Sequence, residues 1–230
     1  MPRRTSITVG VCAGAAVRPP VRHRLDPRSA ALLLMSVALA PPAASQWAML
    51  AQRSQGRANA PVTIFEMSDF QCPYCRQFAM ETLPELLHEY VASGKVRFVF
   101  VNFPLTEIHP WALFAADVAM CAAAQGAFWR FHDLAFQRQP EWSRQPDPGS
   151  YLRALADSAG ARPDPLARCL ADKTSESLVE ADQGAATGLG AQTTPTFFIE
   201  GGLIEGAAPI EVFRQVLDSV YQAKTAAPAH

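Results

Sequence analysis

The sequence predicts an α/β fold: a central mixed sheet flanked by helices, with an inserted helical subdomain. Three observations predict it. A strand–helix–strand unit spans residues 62–103, residues 110–190 contain no convincing strand, and a closing strand pair and helix occupy 196–222.

The elements follow in order. Residues 46–60 are polar and Gly/Ala-rich and read as a lead-in. "VTIFEM" (62–67) is rich in β-formers and mostly apolar on both faces, as in a strand covered on both sides. Val62, Ile64 and Glu66 share one face because strand side chains alternate. A helix is expected over 72–93, with Pro73 in its first turn, Gly94 as its stop and a kink at Pro84. "VRFVFVNF" (96–103) is the second buried strand, completing a right-handed βαβ unit. Helices are then expected near 110–124, 126–138, 149–159 and 164–189. The strands "TFFIE" (196–200) and "LIEG" (203–206) flank a turn at Gly201–Gly202, and a last helix covers about 209–222, leaving 223–230 as a flexible tail. The main domain is therefore 61–104 plus 191–222, and the insertion 105–190.

Charge separates the N-terminus from the rest. Residues 1–45 carry six arginines and one acid, Asp26, so the remainder holds 14 basic and 20 acidic residues. A body at net −6 without a Lys/Arg cluster after residue 60 argues against nucleic-acid binding. The apolar run "AALLLMSVALA" (30–40) follows the arginines and precedes "PPAAS". That order reads as a signal peptide or N-terminal membrane-targeting segment, with cleavage near Ser45–Gln46. Eleven apolar residues fall short of the ~20 that span a bilayer, although retention as an anchor is the competing expectation. Export would place the protein in the periplasm or another extracytoplasmic compartment and remove Cys12. Four cysteines then remain: Cys72, Cys75, Cys121 and Cys169.

The chemistry concentrates in "EMSDFQCPYC" (66–75). It lies where the first strand feeds the helix, the end of an open α/β sheet that carries sites. A cysteine in the first turn faces unpaired N–H groups and the positive helix end, and both favour thiolate. A free thiol near pKa 8.5 is only about 3% ionised at neutral pH. Cys72 is expected to be the exposed nucleophile and Cys75 the buried resolving partner, with Pro73 stiffening the ring and Tyr74 on the surface. Tetrahedral zinc wants four ligands, yet no second Cys pair or close His pair exists, and His109 and His132 stand alone in the insertion. A purely structural disulfide over so short a span would restrict little chain entropy. A redox dithiol is the better reading, and no cofactor beyond the Cys72–Cys75 disulfide is expected. Phe128, Trp129 and Phe131 read as core packing, and His88 as a solvated helix residue.

Three segments in fixed order resemble the DsbA-like thiol-disulfide oxidoreductases of the thioredoxin superfamily: "EMSDFQCPYC", "QGAFWRFHDLAF" (125–136) and "TTPTFFIEGGLIEGA" (193–207). The resemblance covers about residues 58–222 and implies a thioredoxin-like fold. It further implies a cis Thr194–Pro195 peptide beside the dithiol, with the Thr194 backbone offered to an extended substrate. Glu66 matches the family's buried acid, which could carry protons for Cys75. Some relatives hold a second disulfide in the insertion, which here would join Cys121 to Cys169. Substrates would be unfolded or cysteine-containing exported proteins, with a membrane redox partner for turnover. The oxidising relatives often have Pro-His between the cysteines, where this chain has Pro73–Tyr74. Thr194 before the proline is common in isomerases and reductases, but the short lead-in leaves no room for an isomerase's dimerisation domain. The expectation is a monomeric oxidase. Isomerase or reductase chemistry, and a non-catalytic Cu(I)-binding or chaperone module, are the alternatives.

Overall fold

The computed structural model describes residues 49–226. The segment read as a targeting signal (1–45), Cys12 within it, and residues 227–230 lie outside the described residues. Five strands form one sheet: β1 (Ser54–Gln55), β2 (Val62–Ser68), β3 (Val96–Asn102), β4 (Thr196–Ile199) and β5 (Gly202–Glu205). Their spatial order is β1-β3-β2-β4-β5. β2 and β3 run parallel, while the other neighbours are antiparallel. The central mixed sheet is thus the one the βαβ unit and the closing hairpin predict.

Two expectations about strands change. β1 falls inside the stretch read as lead-in. Two residues are too few to show the period-two pattern that marks a strand. The closing hairpin also turns one residue earlier than expected. Ile199 pairs with Gly202, so the two-residue loop is Glu200–Gly201, at φ +46° and +92°. Positive φ at both central positions is what a tight hairpin turn demands.

The helix after β2, α1, occupies residues 73–91. It alternates α-helical segments (Pro73–Gln77, Leu83–Leu86) with π-helical ones (Phe78–Thr82, Leu87–Val91). The expected kink at Pro84 takes the form of this register shift. Pro84 has no N–H for the normal ladder, and the Leu83 N–H instead reaches the Phe78 carbonyl one residue further back.

The insertion follows: α2 (Ala112–Ala123), α3 (Phe128–Gln137), α4 (Gln139–Trp142), α5 (Gly149–Ser158), α6 (Pro163–Ala171) and α7 (Thr174–Gly188). The single helix expected over 164–189 is broken by Lys173, which takes a left-handed φ of +53°. Helix α8 (Ile210–Thr225) closes the fold and extends three residues into the stretch expected to be a tail.

Strand alternation decides what each face packs against. Val62 and Ile64 on β2 and Val96 and Phe98 on β3 meet Phe78, Leu86, Phe213 and Leu217 of α1 and α8. Met67, Val99 and Val101 face the other way, onto Ala186 and Ala191. So α7, expected to belong to the insertion, supplies one cover of the sheet. A buried ion pair fixes it there. Arg53, 4% exposed, bonds to Asp182 of α7, whose carboxylate also accepts the Asn102 backbone N–H at 3.0 Å and its side-chain amide at 2.7 Å.

The insertion docks through aromatic rings. Phe70, just past β2, stacks between Phe100 (5.0 Å) and Phe136 (5.2 Å) and meets Phe131 edge-on. Each such buried ring contributes about 1.5–3 kcal/mol. Cys121 of α2 and Cys169 of α6 are joined by a disulfide across 48 residues of chain. Closing a loop of that length stabilises the fold by roughly 4 kcal/mol on chain-entropy grounds. Replacing both cysteines by serine is expected to lower the free energy of unfolding by about that amount. Chemical denaturation of the two proteins measures it, and equal midpoints would show that the bridge contributes nothing.

Candidate active site

Cys72 is the N-cap of α1 and Pro73 its first residue. A proline is tolerated there because first-turn N–H groups lack helical partners anyway. The backbone at Cys72 is extended, and its carbonyl accepts the Arg76 N–H at 3.1 Å. Cys75 lies one turn further in and is fully buried. Tyr74 points outward, 61% exposed. The two sulfurs are unbonded thiols.

Thr194 and Pro195 face this pair from the loop before β4, and their peptide bond is cis. The Cys72 thiol donates to the Thr194 carbonyl oxygen at 3.4 Å. Thr194 thereby covers the sulfur, and Cys72 is only 4% exposed rather than the open nucleophile expected from its place at a helix start. The Thr194 hydroxyl is buried and has no hydrogen-bond partner among the described residues. A Cys72 thiolate gives it an acceptor.

The surroundings drive the two thiols apart in acidity. Cys72 is lowered to about 6. The Cys75 thiol donating to it acts most strongly; burial opposes; the Thr194 side chain and the Cys75 and Tyr74 backbone N–H groups add to the lowering. Cys75 is pushed well above its usual range, first by burial, then by its bond to Cys72 and by the nearby charges of Cys72 and Glu66. One sulfur is therefore largely ionised at neutral pH and the other is held as a thiol.

Glu66 sits in the middle of β2, opposite Phe100 on β3 and Phe197 on β4. It is fully buried, and neither carboxylate oxygen has a hydrogen-bond partner among the described residues. Burial raises it to about 8, with the Ser68 hydroxyl pulling the other way and the Cys72 charge adding to the rise. It lies on the Cys75 side of the sheet and acts on that thiol. Met67, its neighbour in sequence, packs on the opposite face and offers the dithiol no sulfur ligand.

Several groups around the dithiol carry no short-range sequence signal. The Gln139 side chain of α4 donates to the carbonyls of Phe70 (2.8 Å) and Cys72 (2.9 Å), propping the active-site turn from the insertion. Arg76 donates to the Phe136 carbonyl at 3.1 Å. Asp69, 1% exposed, gives its backbone N–H to the Cys75 sulfur at 3.4 Å and bonds through its carboxylate to His109 Nδ1 at 2.7 Å. His109, read as an isolated histidine of the insertion, is thus part of the dithiol's surroundings. His132 stays outside them: it is buried among aromatic rings and bonds to the adjacent Asp133.

A family sequence model described as thioredoxin matches residues 49–219. The chain belongs to the thioredoxin family. Its fold is that of the DsbA-like structures it resembles. Among solved structures, BdbD from Bacillus subtilis in its oxidised form superposes with a TM-score of 0.67 at 26% identity, covering 74% of this chain and 93% of that one. A probable disulfide bond formation protein D of Bacillus cereus is 30% identical over 154 residues, 66% of this chain and 71% of that protein. A Na(+)/H(+) antiporter NhaA 3 of Salinispora tropica is 38% identical over 167 residues, 73% of this chain but 24% of the antiporter. The chain spans about a quarter of the length of the antiporters it matches.

Proposed function

We propose that this thioredoxin-family chain is an exported protein dithiol oxidase that transfers the Cys72–Cys75 disulfide to cysteine-containing substrates. The observation that carries the reading is the placement of two unbonded cysteines one turn apart at a helix start, with the Cys72 sulfur 3.4 Å from the Thr194 carbonyl and Cys75 buried behind it. The split in their acidity agrees with it.

In the oxidised enzyme a substrate thiolate attacks the Cys72 sulfur. The S–S bond breaks, and its electron pair leaves on Cys75. Neutral Glu66, buried on the same side, is the group able to hand that sulfur a proton. A second substrate thiolate then attacks the substrate sulfur of the mixed disulfide and expels Cys72 as thiolate. The substrate loses two electrons and gains a disulfide; the enzyme gains two electrons and becomes the dithiol. The Thr194 carbonyl, already within hydrogen-bond reach of the Cys72 sulfur, is placed to accept a backbone N–H of an extended substrate chain. Acting as a monomer, the enzyme returns its electrons to a membrane redox partner. The arginine-rich, apolar start of the chain supports export.

Stabilisation of the reduced form supports the oxidase direction. A thiol lowered from 9.0 to about 6 favours the reduced enzyme at pH 7 by about 1.4 kcal/mol, or roughly 30 mV for this two-electron couple. A stabilised reduced form makes the disulfide the better oxidant. Equilibration of the purified protein with glutathione buffers, paired with oxidation of a reduced, unfolded protein, tests this. The expected potential lies above the roughly −270 mV of reducing relatives by at least about that 30 mV, with net disulfide formation in the substrate. A value near the roughly −270 mV of reducing relatives would overturn the oxidase direction and favour reductase chemistry.

A further inference from the structure

Cys75 has to leave as an anion from a place poorly suited to one. In the proposed reaction the Cys72–Cys75 bond breaks and its electron pair settles on the Cys75 sulfur. That sulfur is fully buried. A charge developing there is costly unless a hydrogen-bond donor already faces it. One does: the backbone N–H of Asp69 donates to the Cys75 sulfur at 3.4 Å. The contact is made with both sulfurs as thiols, and a hydrogen bond of this kind strengthens when its acceptor becomes charged.

The chain fixes this donor from every side. β2 ends at Ser68, and the next N–H turns to the sulfur instead of continuing the strand ladder. The Asp69 carbonyl accepts the Cys72 N–H at 3.1 Å and closes the turn that leads into α1. Its carboxylate is buried. One oxygen accepts the Gln71 N–H at 2.7 Å; the other accepts the Leu105 N–H at 2.9 Å and meets His109 Nδ1 at 2.7 Å. With carbonyl and carboxylate both tied, the amide between them cannot swing away from Cys75. A donor set in advance at the place where charge will gather needs no reorganisation when the bond breaks.

We propose that the backbone N–H of Asp69 is a catalytic group of this site, stabilising the negative charge that gathers on the Cys75 sulfur as the Cys72–Cys75 bond breaks. It does for a departing sulfur what an oxyanion hole does for a carbonyl oxygen. The inference rests on the proposed reaction, in which an incoming thiolate strikes Cys72 and Cys75 leaves. The electron pair of the broken bond stays on Cys75 until a proton reaches that sulfur from Glu66, and the amide keeps its own proton throughout. The same N–H steadies the Cys75 thiolate when it attacks a mixed disulfide at Cys72, closes the ring and expels the substrate thiolate. Opening and closing are therefore accelerated together. The equilibrium between disulfide and dithiol is left almost where it was, because burial holds Cys75 as a neutral thiol in the resting reduced protein.

The test replaces the Ser68–Asp69 amide by an ester, keeping the aspartate side chain, and follows single-turnover reduction of the oxidised protein by glutathione beside the glutathione equilibrium. The ester should slow disulfide opening about tenfold and leave the equilibrium unmoved; the factor is smaller than for an oxygen anion because sulfur is the weaker acceptor. An ester also weakens the Ser68 carbonyl, which accepts the Phe103 N–H at 2.8 Å. A second ester, removing that Phe103 N–H, controls for this and should keep the wild-type rate. A wild-type rate with the ester at Asp69, or equal slowing by both esters, would overturn the inference and leave the oxidase reading standing. By NMR, the Asp69 amide proton should exchange with deuterium faster in Cys75→Ala than in the wild type. Equal protection in the two would overturn the inference even if the ester protein failed to fold. A wild-type protein that exchanges with no thiol would remove both the inference and the reading beneath it.

Discussion

Replacing Cys72 with serine is expected to abolish thiol-disulfide exchange while leaving the fold intact. A serine hydroxyl neither ionises at working pH nor forms a disulfide, so no mixed intermediate can begin. The site itself welcomes serine. Cys72 is the N-cap of α1 and its side chain makes no capping bond, whereas serine is among the preferred residues at that position and stabilises helices by about 1 kcal/mol. Unfolding midpoints equal to or above wild type, together with exchange at background, are the expected pair of results. Cys75→Ser should behave differently: Cys72 still attacks or is attacked, but nothing resolves the intermediate. A covalent adduct with a cysteine-containing substrate, visible by mass and released by reductant, should accumulate. Turnover by Cys72→Ser above background would defeat the assignment of Cys72 as the reactive sulfur.

Glu66→Gln is expected to remove a strong pH dependence of stability. In the folded protein Glu66 holds its proton up to about 8, against an ordinary value of 4.5. Between those values the folded state carries a proton that the unfolded state has lost. Stability is therefore complete below about 4.5 and falls as pH rises toward 8, by up to about 1.4 kcal/mol per unit. Cys72 works in the opposite sense. Its folded value is depressed to about 6, so its contribution is present above the ordinary thiol range and is lost as pH falls through 6. The two slopes oppose each other between about pH 6 and 8 in the dithiol protein, so the measurement belongs in the disulfide form, where the Cys72 charge is gone and burial remains the main influence on Glu66. Denaturant unfolding of oxidised wild type should show a loss of roughly 3 kcal/mol from pH 5 to pH 8 that Glu66→Gln lacks. Parallel pH profiles for the two proteins would mean that Glu66 is not a buried neutral acid.

Much of this site can be read along the chain because its signals are local. Cys72, Pro73 and Cys75 lie within one turn, and the helix start that polarises them is marked by Pro73 itself. Glu66 is visible as an acid on a strand face shared with Val62 and Ile64. His109 is not visible: its bond to Asp69 closes 40 residues of chain and follows no repeat. Gln139 reaches the Cys72 carbonyl across 67 residues and is one of many glutamines. The covering of Cys72 by Thr194 likewise depends on a loop 122 residues away. Arg53 and Asp182 stand 129 apart, which is why α7 reads as insertion although it packs on the sheet.

The sequence by itself determined the α/β class, the two buried parallel strands, the helical insertion and the dithiol at a helix start. These depend on side-chain period, on proline and glycine, and on two cysteines at fixed spacing, all properties of neighbouring residues. The tertiary structure decided that Thr194 covers Cys72 as well, that Glu66 has no hydrogen-bond partner among the described residues and that His109 meets Asp69. Those outcomes arise from burial and from charges brought together across long stretches of chain, and a dielectric environment exists only once the core has closed around it.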